Sequence, residues 1–143
     1  MTRVMATGVF DIIHLGHIHY LRESGKLGDE LVVVVARDST AKRNSKDPLF
    51  NEDMRLQIVS ELKIVDKAIL GHEGDIFATV REVGPDIITL GYDQHFDPKI
   101  IEDRCREMGL DTKVVRVSKY SSGPFEGSSQ IRKKLLENIE REI

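Results

Sequence analysis

Apolar residues in this chain gather into five short runs: Arg3–Thr7, Leu31–Ala36, Ala68–Leu70, Ile87–Leu90 and Val114–Val117. The second reads Leu-Val-Val-Val-Val-Ala with no alternation, which predicts a strand buried on both faces of a parallel sheet. The segments between the runs have helical spacing. Leu15, Ile18, Leu21 and Leu27 mark a first helix, and Leu56, Val59 and Leu62 mark one that opens on Asn51-Glu52-Asp53. Ile76, Val80 and Val83 follow Asp75, while Ile100, Ile101 and Met108 follow Asp97-Pro98. A last helix runs from Ser128 or Ser129 through Ile131, Leu135, Leu136 and Ile139. Strands alternating with helices predict right-handed βαβ crossovers and an α/β fold, a doubly wound parallel sheet of five strands with helices on both faces. One domain over residues 1–143 is expected. Two stretches lack periodicity, the basic segment Thr40–Pro48 and the Gly/Pro/Ser segment Lys119–Gly127, and long loops of this kind are often functional.

Composition narrows the possible functions. With 21 Lys plus Arg against 24 Asp plus Glu, the net charge of -3 argues against a general nucleic-acid partner. One cysteine, Cys105, excludes an intrachain disulfide and a Cys-based structural zinc site. No apolar run approaches the roughly 20 residues of a membrane span. Arg3 and Asp11 interrupt any signal-peptide core, so a cytoplasmic protein without a membrane partner is expected.

The turn after the first strand reads Gly8-Val9-Phe10-Asp11-Ile12-Ile13-His14-Leu15-Gly16-His17. A helix beginning near His14 or Leu15 sets His14 and His17 on one face at its N-terminus, where backbone N–H groups and the macrodipole favour an anion. Gly8 permits a tight exit from the strand, and Gly16 lets a phosphate approach the backbone. Two imidazoles there can donate to phosphoryl oxygens as charge builds in a transition state. The competing reading is a pair of capping or core histidines. A metal site from Asp11, His14 and His17 ranks lower, because the helix dipole repels a cation there. Neither a Gly-x-Gly-x-x-Gly nor a P-loop motif is present, so another device must hold phosphate.

Ligands of open α/β sheets bind where the strand order reverses. If the first and fourth strands are neighbours, Gly8 and Gly91 face one another there, and Asp93 either accepts from a ribose hydroxyl or caps the next helix. Lys42, Arg43 and Lys46 follow the second strand and either approach a polyphosphate through loop closure or form a solvated charge run. Arg55 is a candidate fork for a second substrate's phosphate, and Ser128 and Ser129 open the last helix as phosphate ligands or simple caps. Four aromatics, Phe10, Tyr92, Tyr120 and Phe125, with Phe96 beyond them, fall in loops that border the expected crevice.

Gly8-x-Phe10-Asp11-x-x-His14-x-Gly16-His17 resembles the signature of the cytidylyltransferase-like nucleotidyltransferases, and the resemblance covers essentially the whole chain. It implies a Rossmann-like domain, a divalent metal (Mg2+), attack on an α-phosphate with release of pyrophosphate, and a homodimer. Within the family the likeness is to the FMN-adenylylating branch, the archaeal-type FAD synthases. It rests on Leu31–Asp38, Val65–Gly71, Pro85–Gly91 with Asp93-Gln94, and Tyr120 ahead of Pro124-Phe125 and Ser128-Ser129. Cytidylyltransferases acting on glycerol phosphate usually carry an Arg where Gly123 stands, Ile-Ser-Thr in place of Gly127-Ser128-Ser129, and a Trp in place of Leu15. Lys119 and Arg132 are then the candidates to hold the triphosphate on that side.

The resemblance implies ATP and FMN as substrates. Val9 and Phe10 would contact ATP through backbone, His14 to His17 would hold its phosphates, and Asp93 and Tyr120 would line the nucleotide pocket. His14, His17 and a loop lysine, Lys42 or Lys46, would stabilise charge in catalysis, with Arg55 on the acceptor's phosphate. The metal ligands are left unassigned. Transfer of CMP from CTP to glycerol 3-phosphate is the rival reaction, and a nucleotide-binding regulatory module on the same fold is the non-enzymatic rival.

Overall fold

The computed structural model, which describes residues 1–120 and 128–142, holds five strands and six helices, with a helix between successive strands and two in succession between the second and third. The strands are β1 (Arg3–Gly8), β2 (Glu30–Val35), β3 (Lys67–Leu70), β4 (Ile87–Leu90) and β5 (Lys113–Arg116). The helices are α1 (Leu15–Gly25), α2 (Asp38–Arg43), α3 (Glu52–Ser60), α4 (Ile76–Val83), α5 (Pro98–Glu107) and α6 (Ser128–Glu142). All strand pairs are parallel, in the order β3-β2-β1-β4-β5.

The non-alternating β2 run is buried on both faces, as its composition predicts. Leu31, Val33 and Val35 join Val4, Ala6 and Leu21 in one core cluster, while Val32 and Val34 join Met5, Val80, Val83 and Ile88 in the other. Helices α1 and α3 cover the first face, and α4 and α5 cover the second. Cys105 lies buried in the second cluster, where burial raises its thiol pKa.

Polar residues start the helices where the sequence predicts. Asn51 accepts from Met54 N at 2.9 Å, Asp75 from Phe77 N at 3.0 Å and Asp97 from Lys99 N at 2.9 Å, each satisfying an N–H with no intrahelical partner. Leu27 and Leu62 fall just past the ends of α1 and α3. The stretch expected as a basic loop differs in part: its first residues belong to α2, a six-residue helix that buries only Ala41.

Candidate active site

The strand order reverses between β1 and β4, since β1 pairs with β2 on one side and β4 on the other. Their register matches Ala6 with Thr89, and carrying it forward sets Gly8 beside Gly91. Gln94 bridges the two strand ends, accepting from Gly91 N at 2.8 Å and donating to Thr7 O at 3.3 Å.

The turn leaving β1 is strained. Phe10 (φ 57°) and Ile12 (φ 51°) both occupy the left-handed region, which costs a non-glycine residue on the order of 1–3 kcal/mol. Tertiary contacts hold it. The Phe10 ring folds back over Gly8, where a Cβ would approach it to 2.9 Å, and stacks on Tyr20 at 6.4 Å between centroids. Asp11, buried, accepts from Leu49 N at 2.7 Å and Phe50 N at 3.0 Å and pairs with Arg132 of α6. Arg132 also donates to Asp47 O at 3.3 Å.

The histidine pair caps α1 and keeps a free donor as well. His14 Nδ1 accepts from Gly16 N at 3.0 Å, and His17 Nδ1 accepts from His14 N at 3.2 Å, a reciprocal capping box made of two imidazoles. A ring nitrogen that accepts carries no proton, so in each neutral ring the hydrogen sits on Nε2. Burial, followed by the neighbouring His14, lowers the His17 pKa to about 4; burial lowers that of His14 too. Both rings are therefore neutral donors at pH 7, with centroids 4.1 Å apart. His14 Nε2 is buried and has no hydrogen-bond partner. An unmatched buried donor costs roughly 1–3 kcal/mol, which an arriving phosphoryl oxygen would relieve.

This changes the expected anion site. The N–H groups of His14 and Gly16 go to the capping imidazoles, and those of His17 and Ile18 go to His14 O. The Gly16 N–H is thus already engaged by an imidazole, and His14 Nε2 is the buried group at this helix start left without a partner.

Three further expectations are corrected. Arg55 is 0% exposed: its guanidinium donates to Phe50 O, Val9 O and Ala36 O at 2.7–2.9 Å and pairs with Asp38 at 2.7 Å. The fork is consumed inside the fold and is unavailable to a substrate phosphate, and it also occupies the Val9 carbonyl. Phe10 is 3% exposed, so its side chain is core rather than ligand wall. Both carboxylate oxygens of Asp11 are taken up by the loop and α6, which makes Asp11 a brace for the turn and leaves the lower-ranked metal site without its carboxylate.

Other candidates lie at the surface. Lys42 and Lys46 line an open cleft of about 290 Å3 with Asp38, Asp47 and Asn51. Asp93 is exposed beside Gly91, and a Cβ on that glycine would lie 3.3 Å from its carboxylate. Leu15 and Ser129 are exposed. Tyr120 is half-buried, its ring 5.7 Å from that of His19. Gly123, Pro124, Phe125, Gly127 and the Ser128 side chain lie outside the described residues. The sequence reading passed over Arg116, which donates to Gly91 O at 3.0 Å, Gln94 O at 2.6 Å and Phe96 O at 2.7 Å. Its place at the end of β5 was the available signal.

Among the described residues no three His, Cys, Asp or Glu converge as a metal site, and no helix is long and apolar enough to cross a membrane. The cytidylyltransferase-like family matches residues 5–134. The chain is 64% identical over 139 residues to the FAD synthase of Thermoplasma volcanium, with 97% of each chain covered. To the FAD synthase of Thermoplasma acidophilum it is 65% identical over 139 residues, again with 97% of each covered. A crystal structure described as the lipopolysaccharide core biosynthesis protein of Thermoplasma volcanium superposes with a TM-score of 0.83 at 67% identity, covering 85% of this chain and 99% of that one. Matched over nearly all its length, on a sheet and a helix start read independently of the match, the chain belongs to the cytidylyltransferase-like family.

Proposed function

We propose that the chain is an FMN adenylyltransferase, moving AMP from ATP to FMN to give FAD and pyrophosphate. The observation that carries this reading is 64–65% identity, over 97% of both chains, to proteins named FAD synthase. The site geometry fits the chemistry. A phosphate oxygen of FMN attacks the α-phosphorus of ATP, the bond to the β-phosphate oxygen breaks, and pyrophosphate leaves. The attacking oxygen is already ionised, so no side chain need act as a base.

What the protein supplies is position and charge stabilisation. The Nε2–H groups of His14 and His17 donate to phosphoryl oxygens, and the capping box fixes both rings for that purpose. Lys42 or Lys46 reaches the polyphosphate from the adjoining cleft. Ser129, at the start of α6, and Asp93 and Tyr120, beyond β4 and β5, complete the nucleotide side of the reading.

Among the described residues no carboxylate cluster would hold Mg2+ by itself, so an ion at this site would be carried chiefly by substrate phosphates and water. Bound there, it would neutralise charge on the departing pyrophosphate.

The test is pyrophosphate release with ATP and FMN, set against CTP and glycerol 3-phosphate. FAD formation with the first pair supports the reading, whereas turnover of the second pair alone overturns it. Alanine at the working lysine, Lys42 or Lys46, should slow turnover while changing stability by less than about 0.5 kcal/mol, because both side chains are exposed. A melting-temperature loss that tracks the rate loss would mark the lysines as structural.

A further inference from the structure

We infer that the Gln94 carboxamide is a spacer that holds β1 and β4 apart at their carboxyl ends, which makes Gln94 a positioning residue for the nucleotide. This inference deepens the adenylyltransferase reading and rests on ATP being bound where those strands part.

Neither strand ends where their mutual pairing stops. β1 continues against β2 as far as Gly8, and β4 against β5 as far as Leu90, yet the two pair with each other no further than Ala6 and Thr89. Backbone directions show what is missing. Gly8 O accepts from Ala36 N on the β2 side, and Leu90 O accepts from Val117 N on the β5 side. Backbone groups alternate in direction along a strand, so Thr7 and Gly91 face each other across the gap, and in a continued parallel ladder Gly91 N would donate to Thr7 O. The Gln94 side chain takes the place of that bond. Its Oε1 accepts from Gly91 N at 2.8 Å and its Nε2 donates to Thr7 O at 3.3 Å. A carboxamide carries an acceptor and a donor side by side, so it satisfies both of the groups it separates.

The spacer is itself held. Arg116 donates to Gln94 O at 2.6 Å and to the carbonyls of Gly91 and Phe96 on either side of it. From α1 the Tyr20 hydroxyl reaches the same opening, donating to Thr89 O at 2.8 Å and lying 3.3 Å from Thr7 O. Tyr20 comes three residues after His17, so the helix that presents the two imidazoles is fastened to the parted strand ends. The turn that runs to His14 leaves one side of the opening, and the loop that carries Asp93 leaves the other. Without the amide, direct pairing of Gly91 with Thr7 competes with the open form. A ligand that needs the open form then loses apparent affinity in proportion to the fraction closed, while its reaction once bound is unchanged.

The experiment compares wild type with Gln94→Ala in the full chain. It measures ATP binding by calorimetry without FMN, kcat at saturating ATP and FMN, and the coupling across a hydrogen bond from Gly91 N to Thr7 C′ by NMR. Gln94 is half-buried on a loop held by Arg116, so the variant should keep its fold, which the same spectra report. A closed form populated to about four-fifths raises the apparent Kd for ATP about fivefold, and a rise of at least that size is expected, with kcat within about twofold of wild type. The coupling should appear in Gln94→Ala and be absent from wild type. Its absence from the variant overturns the spacer. A fall in kcat of about tenfold or more overturns it too, by placing Gln94 on the reacting groups themselves. A wild type that binds ATP no more tightly than the variant sinks the spacer alone. A wild type that does not bind ATP sinks the nucleotide assignment, and the spacer with it.

Discussion

His14→Ala or His17→Ala should lower kcat by roughly 10²–10³, with a smaller change in KM for ATP, as expected for loss of one transition-state donor. The rings also cap α1, so alanine should in addition destabilise the fold by about 0.5–2 kcal/mol. His14→Asn separates the two roles. Asn keeps an acceptor oxygen for Gly16 N but removes the imidazole Nε2–H, so it should restore melting temperature without restoring rate. Near-wild-type turnover in the alanine variants would reduce the pair to caps. The pH profile offers a second check. Because the His17 pKa is lowered to about 4, its neutral form persists across pH 5–8, and the rate should show no limb near 6.5 from this residue. The same shift has a sign for stability. The unfolded chain binds a proton that folded His17 refuses, so the contribution is full above pH 6.5 and is lost as pH falls toward 4.

Arg55→Ala should destabilise the protein by about 3–5 kcal/mol, because it empties the space of a fully buried side chain and leaves three carbonyls without their donor, while half-exposed Asp38 turns to solvent. At this chain length that corresponds to a fall in Tm of roughly 6–20 °C in thermal unfolding. Arg55→Lys keeps the charge but has no fork, so it should recover only part of the loss. If Arg55 were instead a phosphate anchor, alanine would raise KM for the acceptor and leave Tm unchanged. Calorimetry and steady-state kinetics on one preparation decide between these outcomes.

The contrast between Arg55 and Asn51 shows where sequence was legible. Asn51 announces a helix start because a short polar side chain before an apolar periodic segment has a local purpose, and it caps as expected; the helix after β4 is capped by Asp97, not by Asp93. The β2 run announces a central strand for a similar reason, since a strand covered on both faces has no polar side to display. Arg55 gives no such notice: a guanidinium at that position reads alike whether it faces solvent or threads between β1 and β2. Its partners Val9 O and Ala36 O lie 46 and 19 residues away. α2 was missed because six residues with one buried side chain are too short for a period to register. The histidines were found as a pair, but their double use was hidden. The capping box depends on which ring nitrogen faces the backbone, and residue spacing carries no trace of that.

The neutral state of the two capping imidazoles has a consequence for ionic strength. Dipolar donors act only at contact, whereas full charges pull across a Debye length of about 8 Å at physiological salt. On the proposed reading, capture of a polyanion falls to Lys42 and Lys46 along their cleft, while discrimination among phosphoryl geometries falls to the half-buried imidazoles. Salt should weaken the first and spare the second, so added electrolyte slows encounter with the nucleotide far more than it slows the step that follows.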